Sequence, residues 1–233
     1  MNRYAALEAT LTSSLSLTRR PVAVAMLDDP PTGVARMQGT QPSGCSFWKL
    51  AADGAAFYTE PEHHHNCPIG SYTLNIPLPA DREQELPQVL DVMTSLGYLK
   101  MAEVPGISRL IRTPAVIAYA PLGDTSVDPD VVVIAGRPGG LMLLHEAALG
   151  AGVSVQPLFG RPTCMAIPAA MTGSLASSLG CVGNRIYTDL PEDEFYSVVS
   201  GLDLSAIAAG LVTIVSANAA LATYHSERLS LRQ

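Results

Sequence analysis

The chain has 233 residues, 48% of them hydrophobic and only 15% charged, which suits one large domain or two small, closely packed ones and excludes a disordered or coiled-coil chain. The formal charge is −7, and only Lys49 and Lys100 among the 14 basic residues are lysines. With no basic stripe to neutralise a phosphate backbone, nucleic acid is not an expected partner.

Residues 4–17 carry apolar side chains at helical spacing, and Arg19-Arg20-Pro21 ends that helix. Polar residues interrupt this N-terminal stretch throughout, so it does not read as a secretory leader. Residues 22–27 form an apolar run that predicts a buried strand, closed by Asp28-Asp29-Pro30-Pro31. Ser43 is placed to cap a short helix from Cys45 to Asp53, Gly54 stops it, and residues 55–58 predict a short strand. A polar loop over 60–66 leads to Cys67-Pro68-Ile69-Gly70. Residues 81–96 predict a helix, with a shorter helical stretch near Ile107, and 115–120 and 131–135 predict two more buried strands. Arg137-Pro138-Gly139-Gly140 leads into a helix over 141–149, followed by a strand at 153–158. Cys164 opens a helical stretch, and Gly180-Cys181-Val182-Gly183 leads to a predicted strand over 185–188. A helix over 204–229 completes the chain; its most apolar part, 207–222, falls short of the roughly 20 residues that span a bilayer and predicts a buried helix. No membrane role is therefore expected.

An internal repeat emerges from this order. Cys45 and Cys67 lie 22 positions apart, Cys164 and Cys181 lie 17 apart, and each leading cysteine precedes a short helix. Each trailing cysteine is followed by a glycine and a Tyr-Thr pair, Tyr72-Thr73 or Tyr187-Thr188. Two such units predict a pseudo-two-fold axis at which equivalent loops meet.

Cysteine is by default a small buried hydrophobe. Here all four stand at loops or helix starts, beside Gly or Pro, and none lies inside a periodic apolar run. Without a leader-like segment they point to a reducing compartment, hence a cytoplasmic location, and to metal ligands or reactive thiols rather than disulfides. Structural zinc sites use closely spaced C-x₂₋₄-C knuckles, which are absent, whereas widely spaced single cysteines suit an iron–sulfur cluster. His63-His64-His65 directly precede Asn66-Cys67 and hold three of the five histidines. Their alternatives are an imidazole ligand, with His65 assigned here, a proton relay near physiological pH, or a solvated loop without a role. Cys164 near Arg161 also reads as a reactive thiol, although no partner base is evident. Arg185, near Cys181, is assigned a contact to a cluster or an anion. Trp48 shields that centre or sits in the core. There is neither a G-x-S-x-G elbow nor a phosphate-binding glycine loop.

In order along the chain, Arg20-Pro21-Val22-Ala23-Val24, Gly44-Cys45 with Lys49-Leu50-Ala51, Cys67-Pro68-Ile69-Gly70, Ala120-Pro121-Leu122, Pro129-Asp130-Val131-Val132-Val133, Cys164, and Ser178 through Arg185 resemble the family called domain of unknown function 169. That family's pattern has cysteines at all four places, which implies a role beyond packing, and it supplies no settled reaction. The triple histidine departs from its usual loop and opens an added ligand or an altered substrate there.

The expectations are then an α/β fold of mixed sheets in two pseudo-symmetric halves, 1–112 and 113–233, packed as one unit. The function expected is that of a metal-cofactor protein with a [4Fe–4S] cluster on Cys45, Cys67, Cys164 and Cys181 and a redox or electron-transfer role. Zinc and haem are the alternative cofactors, with an enzyme or carrier holding a Cys/His mononuclear metal or haem over 63–67 as the runner-up. A small-molecule binding module with a cleft between the halves is the remaining reading. Expected partners are a redox partner or small-molecule substrate, with room for a homodimer; whether the chain is an enzyme stays open.

Overall fold

In the computed structural model, which describes residues 3–158 and 160–229, the apolar runs become the inner strands of one eight-stranded mixed sheet. The first half supplies α1 (Arg3–Leu15), β1 (Val22–Leu27), β2 (Ala35–Arg36), α2 (Gly44–Ala52), β3 (Phe57–Thr59), α3 (Pro68–Thr73), α4 (Glu85–Ser95) and β4 (Val116–Pro121). The second supplies β5 (Val131–Gly136), α5 (Pro138–Gly150), β6 (Ser154–Leu158), α6 (Ala166–Ala170), β7 (Ser174–Ser178), α7 (Val182–Thr188), β8 (Phe195–Ser200) and α8 (Leu204–Leu229).

The strand order is β2-β3-β4-β1-β5-β8-β7-β6. It reads alike from both edges. β2 pairs with β3 in parallel, β3 with β4 and β4 with β1 antiparallel; likewise β6 pairs with β7 in parallel, β7 with β8 and β8 with β5 antiparallel. The two sets meet where β1 runs antiparallel to β5, with Val22 opposite Val133. Both halves thus put a helix between their second and third strands, and another after the third.

Both faces of the sheet are covered, which is why β1, β4 and β5 read as unbroken apolar runs rather than as alternations. Val22, Val24, Val131 and Val133 face a layer holding Phe47, Trp48 and Ile167, whereas Ala23, Val132 and Ile134 face Leu11, Leu144 and Ile207 of α1, α5 and α8. Trp48 is a core residue, 3% exposed and edge-on to Tyr196 with ring centroids 5.4 Å apart.

Two expectations are corrected. Residues 185–188 are helical, within α7, because Cys181 takes the N-cap position and the helical period turns Asn184 and Thr188 inward while Val182, Ile186 and Tyr187 face out. The C-terminal helix is not buried over 207–222: its buried residues are Leu204, Ile207, Ala208 and Leu211. At 26 residues α8 is about 39 Å long, twice the 13-residue α5 against which it packs, so its second half outruns its support. With a mean hydropathy of 1.9 over its most apolar window, α8 is by length and composition long and apolar enough to cross a bilayer.

Candidate functional site

The repeated strand order carries the four cysteines to repeated places. Cys45 lies in the first turn of α2, between β2 and β3, where Ser43 is the N-cap and its hydroxyl accepts from the Cys45 amide at 3.0 Å. Cys164 lies in a 3-10 turn, Thr163–Met165, that leads into α6 between β6 and β7. Cys67 and Cys181 are the N-cap residues of α3 and α7, after β3 and β7. The halves then cross over: α2 packs on α7, and the turn bearing Cys164 packs on α3.

All four cysteines consequently line one cavity of about 300 Å³. Each comes from a different segment, and none is in a disulfide. Among the described residues no three of the sulfurs lie mutually within 4.8 Å. The Gly70 amide donates to Cys67 Sγ at 3.3 Å, and the Cys181 amide donates to Thr163 Oγ1 at 2.6 Å. Burial pushes the Cys45 thiol up to about 12, and neighbouring Cys67 and Cys181 act in the same direction. Cys164 is likewise raised, by burial first and then by Cys45 and Cys67. Such thiols stay protonated unless positive charge compensates for their desolvation.

The wall opposite is apolar. Leu86, Val89, Leu90 and Met93 project from α4 into the cavity, joined by Leu99 and Ile107. No residue of α4 itself is buried, so this helix rests on the cavity rather than on the core. At the rim Arg161 stacks over the Tyr98 ring at 4.4 Å and reaches Glu103 at 3.5 Å. Sequence reasoning missed this wall, although the apolar stripe at 86, 89, 90 and 93 on a helix flanked by no strand was its signal. It also missed Asn184, which lies on the cavity and is 1% exposed.

The other assigned residues are placed elsewhere. Arg185 donates from its guanidinium to the carbonyls of Leu179, Pro191 and Glu194, so it fastens the α7 loop. None of His63, His64 and His65 lines the cavity. The solvated-loop reading is also corrected, because His63 is 7% and His64 1% exposed; only His65 is half-buried. His63 accepts the Glu60 amide on Nδ1 at 3.0 Å and donates from Nε2 to the Met37 carbonyl at 3.2 Å. Glu60, Glu62 and His63 do gather closely, but Arg36 pairs with both carboxylates and the His63 nitrogens are taken.

A family model, that of domain of unknown function 169 with the description "Uncharacterised ArCR", matches residues 10–210. Comparison with curated proteins and with solved structures returns no match.

Proposed function

The chain belongs to the domain of unknown function 169 family, and we propose that it is an iron–sulfur protein holding a [4Fe–4S]-type cluster on Cys45, Cys67, Cys164 and Cys181. One observation carries this reading: four cysteines from four separate segments face a single largely apolar cavity. Thiolates around one zinc, at about 2.3 Å from the metal, stand roughly 3.8 Å apart. Among the described residues no three of these sulfurs lie mutually within 4.8 Å, so they do not gather around a single ion in that way. Soft thiolates favour such a cluster. When bound, the cluster supplies one-electron transfer. The chain's own contribution is to fix the thiols, to lend the Gly70 amide to Cys67, and to exclude water with the α4 wall.

Anaerobic purification, followed by a visible spectrum and analysis for iron, zinc and acid-labile sulfide, tests the proposal. Matching iron and sulfide with broad visible absorbance are expected; zinc alone, or no metal, overturns it. Gly70→Ala offers a sharper check. A Cβ there stands 2.9 Å from Cys67 Sγ, so the sulfur must swing away. Iron affinity is expected to fall about 10–100-fold, the range seen when a ligand's surroundings are disturbed. The thermal midpoint is expected to hold, since alanine favours the helix over glycine.

The α4 wall favours a second reading, a module that binds an uncharged apolar molecule. A dry cavity of about 150 Å³ already accepts benzene, and this one offers about 300 Å³. Metal-free protein whose thermal midpoint rises with 2-naphthol points there.

A further inference from the structure

The shared cavity carries its one charged side chain at the rim. Among the described residues that line it, Arg161 alone is of the type Arg, Lys, His, Asp or Glu. The rest of the lining is apolar or formally neutral, so it holds no carboxylate to repel an anion or to pair a cation.

Arg161 is also loosely held. Its carboxylate contact is with Glu103 at 3.5 Å, and the Glu103 side chain is 49% exposed. The same Glu103 oxygen already accepts the Lys100 amide at 3.1 Å. Arg20, Arg36, Arg82 and Arg112, by contrast, each grip a carboxylate at 2.6–2.7 Å. A solvent-exposed pair as long as that of Arg161 contributes little. The Tyr98 ring, with its centroid 4.4 Å from the guanidinium carbon, fixes the plane of the group and leaves its N–H donors free to point elsewhere. A planar, permanently charged fork with donors to spare matches the two oxygens of a carboxylate.

The body of a ligand has its own surface. Leu86, Val89, Leu90 and Met93 of α4 make an apolar stripe, about 10 Å long at the helical rise. The cavity's volume of about 300 Å³ is twice the roughly 150 Å³ that accepts benzene. It has room for a bicyclic ring or a chain of about ten carbons on that scale.

We propose that this cavity binds a small amphipathic monocarboxylic acid, with its carboxylate on the Arg161 fork and its apolar body along the α4 stripe. This rests on the second reading, in which the cavity takes an apolar molecule; it adds a charged head to that molecule and involves no metal. The bound carboxylate takes the place of Glu103, which turns to solvent. A cation of the same shape, such as decylammonium, meets like charge at the rim and finds no acid in the lining.

Isothermal titration calorimetry on the full chain tests this with 2-naphthoate, with decanoate below its micellar range, and with 2-naphthol. 2-Naphthoate is expected to bind the wild type about tenfold more tightly than 2-naphthol, the margin of one charge-assisted contact. Arg161→Gln is expected to erase that margin and to leave the affinity for 2-naphthol unchanged. Arg161→Lys keeps the charge without the fork and is expected to retain part of it. Rising salt should narrow the margin in the wild type and change nothing in Arg161→Gln. Both variants are expected to fold, since they give up only the Tyr98 stacking and the long Glu103 contact. Decanoate binding more tightly than 2-naphthoate identifies a fatty chain as the body, and the reverse order an aryl ring; either result supports the acid. Equal affinity for acid and alcohol, or a margin that survives Arg161→Gln, overturns the acid and leaves the cavity as a site for uncharged molecules. Binding of none of the three overturns the acid and the second reading together.

Discussion

Replacing any one of Cys45, Cys67, Cys164 and Cys181 with Ser is expected to strip most of the iron from the protein while leaving its sheet folded. A ligand thiolate supplies a bond to iron that a serine hydroxyl, harder and far less acidic, does not replace at neutral pH. The loss should exceed the roughly 10–100-fold weakening that changes around a ligand produce. Equal dependence on all four follows from their placement, since each stands alone on its own segment and no fifth cysteine exists. The fold itself rests elsewhere. Val22, Val24, Phe47, Ile117 and Tyr119 on one face, and Leu11, Leu141, Leu144 and Ile207 on the other, make a core in which Cys45 is one small member. Iron and sulfide analysis beside far-ultraviolet circular dichroism checks both halves of the expectation. Full iron retention in any one variant would remove that cysteine from the ligand set, and retention in all four would sink the cluster. Loss in the Cys45 and Cys67 variants alone would instead leave a centre confined to the first half.

The convergence of the cysteines was legible in the sequence because it follows from element order. The leading cysteines Cys45 and Cys164 read as the starts of short helices and the trailing ones as glycine-flanked loops, whereas the helices that Cys67 and Cys181 cap were not foreseen. The strands β1, β4 and β5 were legible because, buried on both faces, they read as plain apolar runs. β7 was not. Its sequence, Ser174-Leu175-Ala176-Ser177-Ser178, lacks strand formers, and the strand is tolerable only because its hydroxyls find partners. Ser177 lies 2.9 Å from His145 Nε2 and 3.2 Å from the Ser197 hydroxyl, while Ser178 accepts the Gly180 amide. The partners of Ser177 come from α5 and β8 and cannot be read locally. α7 was misread because its exposed residues, Val182, Ile186 and Tyr187, are the very types that favour strands. The α4 wall left a signal in its apolar stripe, but that stripe, like the lone Asn184, acquires meaning only from the cavity it lines.

Acidification is expected to destabilise this protein well above the carboxylate range, and His64 is the reason. Its ring is buried between Phe47 and Tyr119, with centroids 5.0 and 6.5 Å away. Thr59 Oγ1 donates to the Ile117 carbonyl at 3.2 Å, so the 2.8 Å contact with His64 Nε2 is a bond that the imidazole donates. The lone pair on Nδ1 then has no partner. Protonation would place an unpaired charge in that apolar setting, and burial, helped by His63 and His65, holds the His64 pKa down at about 3. In the unfolded chain the same imidazole titrates near 6.5. Between those values the unfolded state binds the proton and the folded state does not, so stability rises with pH across the window. The contribution is complete above about 6.5 and shrinks as pH falls, by about 2 kcal/mol at pH 5 relative to pH 8. His145, also held below its ordinary value by burial, adds to the slope with the same sign. The depressed carboxylates Glu60, Glu85 and Asp128 contribute only at lower pH, where they too would be protonated. Urea denaturation at several values between pH 8 and 5, for wild type and His64→Gln, isolates the histidine, since any cluster contribution is common to both. The variant is expected to be less stable at pH 8, having lost ring contacts, and to be flatter in its pH dependence. Parallel curves for the two proteins would mean that His64 is protonated in the fold after all, and that Nδ1 has found an acceptor.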